Sequence, residues 1–169
     1  MKILVFTEGT IIMHHGAIGL PRESVHKQVV DGEDLSIRDW KTYVPIGNAV
    51  GKLQSWKRQG AEIFYLTSRT KPSEIEDIDG VLKRFGFPEG QLLFREKGEQ
   101  YKDVAERIMP DFIVEDDCVS IGGEVEMTYT YIKPELKKRI KCLTVNEFGG
   151  IDHFLTESKT CACVRVFNT

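Results

Sequence analysis

No stretch of this chain approaches the roughly 18 consecutive apolar residues that cross a bilayer, so a membrane span is not expected. The first apolar run, Ile3 to Phe6, is too short for a signal-peptide core, and no small-residue cleavage site follows it. Both points lead to a cytosolic expectation. Cysteine is scarce, four in 169 residues. No second cysteine or histidine pair stands at zinc-ligand spacing, so a zinc site is not expected. Cys118 and Cys142 sit alone in apolar segments and read as reduced, buried thiols. Cys161 and Cys163 read as packing residues of a strand-like tail. Repeats and low-complexity linkers are missing too. Neither sign of charge dominates: 23 Lys and Arg against 26 Asp and Glu leave -3. A field of that sign does not favour nucleic acid or an anionic membrane as partner.

What is present is an ordinary globular composition, 41% hydrophobic and 29% charged, in a length that suits one domain with its own core. Lys2 to Phe6 and Glu62 to Leu66 are continuous apolar runs of the kind buried on both faces of a parallel sheet. Gln91 to Phe94, Phe112 to Glu115 and Arg139 to Val145 continue the series. Helices are expected over Pro45–Gln59, from Pro72 to Phe85, and over Lys102–Met109, each with apolar residues at the helical period and a Gly or Pro stop. A short helix is expected near Arg22–Val29. Gly122 to Lys138 gives no clear pattern beyond a helix opening at Pro134. Strands alternating with amphipathic helices predict an α/β fold: a three-layer α/β/α sandwich around a mainly parallel, Rossmann-like sheet of about five strands. We expect a single domain over 1–153, with a small insert at 11–44 after the first strand and a C-terminal tail at 154–169.

In such sheets the ligand sits at the carboxyl ends of the strands. The residues that gather there are Glu8 and Thr10, Thr67 to Arg69, Arg95, and Glu115 to Asp117. Their order resembles the four motifs of the haloacid dehalogenase superfamily of phosphatases and phosphotransferases. Phe6-Thr-Glu-Gly-Thr10 aligns with that family's Asp-x-Asp-Gly-Thr, Thr67-Ser68 with its hydroxyl motif, and Lys102 (less well Lys97) with its lysine. Ile113-Val-Glu-Asp-Asp117 aligns with its acidic pair. The resemblance implies a haloacid-dehalogenase-like fold with a small insert in place of a full cap. It implies magnesium held by Glu8, Glu115, Asp116 and Asp117. Phosphate would lie against Gly9, Thr10, Thr67, Ser68, Arg69 and Lys102. Glu8, Thr67 and Lys102 would carry any catalysis. These parts suit one another: a phosphoryl group needs a cation, hydroxyl donors and a hard metal around its oxygens.

One position departs. Phe6 stands where the family has its nucleophilic aspartate, and residues 1–7 contain no acid that a shift of register would bring in. A phenyl ring cannot attack phosphorus or ligate magnesium, so aspartyl-phosphate chemistry is not expected by that route. Three functions follow. The first is a degenerate phosphatase-type site that binds a phosphorylated ligand or Mg2+ without turning it over. The second is a metal-dependent phosphohydrolase in which metal-bound water attacks with Glu8 as base. The third is an interaction module. An open site of this kind suits a phosphorylated small molecule or macromolecule, or a cap donated within a homo-oligomer.

Several residues carry plainer readings as well. Glu8 can be a solvated turn acid, Thr67 to Arg69 a helix-capping turn, and Lys102 an exposed helix-start lysine. The acids Glu115 to Asp117 can cap the next segment, although their crowded like charges would be relieved by a cation. His14 and His15 read as an exposed loop pair, and Phe148 to His153 as a structured turn.

Overall fold

The computed structural model describes residues 1–154. Cys161, Cys163 and the rest of the expected tail beyond Phe154 lie outside the described residues. In chain order the elements are β1 (Lys2–Phe6), β2 (Ile12–Met13), α1 (Arg22–Asp31), β3 (Val44–Pro45), α2 (Ala49–Arg58), β4 (Glu62–Leu66) and α3 (Pro72–Arg84). Then come β5 (Gln91–Leu93), α4 (Tyr101–Ile108), β6 (Phe112–Asp116), the single turn α5 (Thr128–Tyr131) and β7 (Lys141–Val145).

The apolar runs pair as a five-stranded sheet in the order β5-β4-β1-β6-β7, every neighbour parallel. Side chains alternate across a strand, and here the alternation sorts the core into two layers. Ile3, Val5, Ile63, Tyr65 and Val114 face Leu53 and Trp56 of α2 and Ile78, Val81 and Leu82 of α3. Leu4, Phe64, Leu66 and Ile113 face the other way, onto Val104 and Ala105 of α4 and onto Ile132 and Ile140. The expected α/β/α sandwich is therefore present. Truncating a fully buried member such as Leu53 or Ile78 to alanine is expected to cost about 2–5 kcal/mol.

The chain runs outward from β1 through β4 to β5, then returns to place β6 and β7 on the other side of β1. The switch falls between β1 and β6, and the strand carboxyl ends beside such a switch are where open α/β sheets bind ligands. The segment after β1 is gathered at its base, where β2 pairs antiparallel with β3.

Two local expectations are corrected. Pro134 opens no helix. The helical turn α5 lies before it, and the chain after it runs through turns closed by Leu136 N–H to the Lys133 carbonyl and Ile140 N–H to the Leu136 carbonyl. His14 and His15 are not an exposed pair. His15 is exposed, but His14 is 1% exposed and meets Gln28 Oε1 at 3.1 Å, because β2 carries it beneath α1. The thiols of Cys118 and Cys142 are free and half-buried rather than fully enclosed.

Candidate functional site

The tight turn after β1 starts the site. Thr7 accepts the N–H groups of both Ile11 and Ile12 on its carbonyl, which brings Glu8 and Gly9 out at the strand end. Gly9 has φ +79°, and a Cβ there would stand 3.0 Å from Asp116 Oδ2. Glycine therefore lets the turn lie directly against the tip of β6. Thr10 fastens the contact: its hydroxyl donates to Asp116 Oδ2 at 2.7 Å.

The expected acids do not form one group. β6 is a strand, so its neighbours point to opposite faces. Glu115 lies on the α4 side, 2% exposed, where its carboxylate accepts the Thr128 N–H at 2.8 Å and the Tyr129 N–H at 2.9 Å, with the Cys142 thiol at 3.4 Å. It serves the first turn of α5. Asp116 turns to the other face, where it meets Asp117 and Glu147. One carboxylate oxygen from each of these three lies within 4.8 Å of the others. Glu115 and Glu8 are outside that group, and Glu147 is the member that the sequence reading missed. A positional signal exists: Glu147 follows the end of β7 by two residues, as Glu8 follows β1.

The three acids are held in place. Asp116 Oδ1 accepts the Cys118 N–H at 3.0 Å, and Asp117 Oδ1 accepts the Glu147 N–H at 2.9 Å. Glu147 accepts the Ser120 N–H at 2.7 Å and the Ser120 hydroxyl at 2.6 Å. Arg22 of α1 stands 3.7 Å from Asp117. Burial raises the Asp116 carboxyl above its usual range despite the Thr10 hydrogen bond, and the charge of Glu147 adds to the rise. The donor set is all carboxylate oxygen, three acids against the single nearby cation Arg22. That fits a hard divalent cation. Two non-glycine residues beside the group, Cys118 at φ 51° and Phe148 at φ 61°, adopt the left-handed conformation. Each costs about 1–2 kcal/mol, which the surrounding bonds must hold. The Phe148 N–H donates to the Gly9 carbonyl at 2.7 Å, and Asp152 caps the start of α2 by accepting the Asn48 N–H. The Phe148–His153 turn thus ties β7 to the turn after β1.

Glu8 sits in a second cluster on the β4 side. Its Oε1 accepts the Thr67 hydroxyl at 2.7 Å and lies 3.4 Å from Arg69 Nε. Its Oε2 accepts the Thr7 hydroxyl at 2.5 Å and the Ser68 N–H at 3.2 Å. The Arg69 guanidinium stacks over Trp40 at 4.0 Å and donates to the Ser68 hydroxyl. Phe6, at the end of β1, packs edge-on against Tyr101, with centroids 5.5 Å apart. Arg95 lies 4.1 Å over that same Tyr101 ring. Lys102, the expected phosphate cation, pairs with Asp103 at 2.8 Å and holds the Asp103 carboxyl below its usual range. Arg95 and Arg69 are the cations whose fields reach Tyr101 together with that of Glu8.

No protein-family model and no curated protein matches this chain. Solved structures do. A class C acid phosphatase from Bacillus anthracis with tungstate bound is 16% identical, with TM-score 0.52, over 72% of this chain and 54% of that one. A chain of the Pnkp1/Rnl/Hen1 RNA repair complex is 15% identical, with TM-score 0.54, over 86% of this chain and 42% of its own length. A second structure of the Pnkp1/Rnl/Hen1 complex matches over 86% of this chain and 46% of that one, at 14% identity and TM-score 0.52. The chain thus spans about half the length of the structures that it matches. At these identities the likeness is one of fold: an α/β sandwich of the kind seen in an acid phosphatase.

Proposed function

We propose that this chain is a divergent haloacid-dehalogenase-like protein that binds a divalent cation, Mg2+ by its donor set, together with a phosphorylated ligand, and does not form an aspartyl-phosphate. One observation carries the reading. β1 ends in Phe6, packed on Tyr101, while the strand ends on either side keep an acid group (Asp116, Asp117, Glu147) and a donor group (Thr67, Ser68, Arg69). The residues suited to hold metal and phosphate remain, and the position that would attack phosphorus holds a hydrocarbon ring. The fold shared with an acid phosphatase supports the class. The water-attack alternative needs Glu8 beside the metal. Its carboxylate is taken up instead by Thr7, Thr67, Ser68 and Arg69, which favours binding over turnover. The ligand is a phosphorylated small molecule or macromolecule in a cytosolic setting, with the short insert leaving room for a cap from a second copy.

The test is thermal unfolding of the purified protein in Mg2+ with a panel of phosphorylated metabolites, followed by a phosphate-release assay on each hit. A ligand at 100 times its Kd adds about 2.7 kcal/mol. The reading expects at least one such shift and no phosphate release above the rate without protein. Release that Glu8→Gln abolishes supports the phosphohydrolase. No shift with any metabolite leaves the interaction module, for which the exposed Val119, Ile121 and Val125 of the loop after β6 are the surface to probe.

A further inference from the structure

The carboxylate of Glu8 is coordinated like a bound anion rather than like an acid at a turn. Three hydrogen-bond donors converge on its two oxygens from two adjacent strand ends, Thr7 Oγ1 after β1 and Thr67 Oγ1 and Ser68 N after β4, and Arg69 Nε stands 3.4 Å away as an ion pair. Only 14% of the side chain is exposed. A hydroxyl, a backbone N–H and a guanidinium around one point are the elements of an oxyanion site.

Charge and fixation point the same way. Arg69 pairs with Glu8, and Arg95 lies over the Tyr101 ring at the neighbouring strand end. A phosphoryl dianion offers such guanidiniums stronger charge-assisted hydrogen bonds than one carboxylate does. Both guanidiniums are held by aromatic faces, Arg69 by Trp40 and Arg95 by Tyr101, so they need little ordering to receive a ligand. Arg95 Nε is buried and has no acceptor among the described residues. A buried donor without an acceptor is costly, which marks this edge of the sheet as incompletely satisfied.

We propose that the donors around Glu8 form a binding site for a phosphoryl-class oxyanion, the terminal group of a phosphate monoester, and that Glu8 is its internal occupant, displaced when an outside anion enters. The proposal rests on the phosphate-ligand reading above and adds that the wild-type site is self-occupied. Thr7, Thr67, Ser68 and Arg69 would pass from the carboxylate to the phosphoryl oxygens. The Glu8 side chain would rotate out to solvent. Wild-type affinity is then lowered by the cost of evicting Glu8, as for any site whose competent state is a minor one.

The experiment is calorimetric titration of inorganic phosphate, at constant ionic strength and without metal, into the full chain and three variants. Glu8→Ala removes the occupant. Glu8→Gln keeps its size, removes its charge and guards against loss of fold in the alanine variant. Glu8→Ala combined with Arg69→Ala removes occupant and cation together. The proposal expects Glu8→Ala to bind phosphate at least tenfold more tightly than wild type, Glu8→Gln to lie between the two, and the double variant to lose the gain. Folded Glu8→Ala and Glu8→Gln that bind phosphate no more tightly than wild type overturn it. If that happens while wild type still shifts with phosphorylated metabolites, only the self-occupied site is lost. If neither the wild type nor the variants respond to phosphate or to metabolites, the phosphate-ligand reading falls with it.

Discussion

The ring of Phe6 meets the ring of Tyr101 edge-on, 5.5 Å between centroids and 69° between planes, at the carboxyl end of the central strand. The contact joins β1 to the first turn of α4 and places a hydrocarbon ring at the strand end. Its worth is packing. Phe6 is half-buried, so Phe6→Ala is expected to lower stability by about 1.5–3 kcal/mol, below the 3–5 typical of a fully buried ring. Phe6→Leu should cost less than about 1.5 kcal/mol. Urea unfolding measures both, and the response to Mg2+ should survive in each variant.

Glu115 and Asp116 are adjacent in sequence and should separate in experiment. Glu115→Ala leaves two N–H groups at the start of α5, Thr128 and Tyr129, without their acceptor. The expected loss is about 2–4 kcal/mol, with binding of divalent cation unchanged in the folded fraction. Asp116→Ala should abolish the cation response; it too leaves partners without an acceptor, the Thr10 hydroxyl and the Cys118 N–H, but it relieves a buried carboxylate.

This pair also shows how far the sequence could be read. The buried runs, their alternation with helices and the parallel sheet were all legible, because β1, β4 and β6 are apolar on both faces and the longer helices end at a Gly or Pro. The acids after β6 were legible as a cluster but not in direction, since a run of three acids does not say which side each takes until the strand boundary is known. β6 extends to Asp116, and that sends Glu115 to the α4 face. Glu147 was hidden because its partners come from 27 and 30 positions away, Ser120 and Asp117. Lys102 was read from a motif order. In the fold its neighbour Asp103, held by the capping box of α4, forms an ion pair with it.

Burial holds the Asp116 carboxyl above its usual 3.8. The folded chain therefore keeps a proton there that the unfolded chain releases. The stability this proton contributes is complete below about pH 3.8 and is lost as pH rises through the raised native value. Asp116→Asn does not titrate at that site. Compared with wild type, the variant should be relatively most stable at neutral pH, and wild type should gain on it as the pH falls through that window. Chemical unfolding of both proteins between pH 7 and pH 4 measures the difference. A difference that does not change with pH contradicts the assignment.

On the β4 side the insert meets the site through a stacked pair, Trp40 against Arg69 at 4.0 Å. Trp40→Ala should cost about 0.5–2 kcal/mol and free the Arg69 guanidinium. Limited proteolysis should then cut the 31–43 segment faster than in wild type.

The most direct test of the account is thermal unfolding of wild type and Asp116→Ala, each with and without saturating Mg2+. The account predicts that Mg2+ at 100 times its Kd stabilises wild type by about 2.7 kcal/mol, a rise in Tm of about 5–10 °C for a domain of this size, and leaves Asp116→Ala unmoved. An equal rise in both proteins, or none in wild type, contradicts a cation site at Asp116, Asp117 and Glu147.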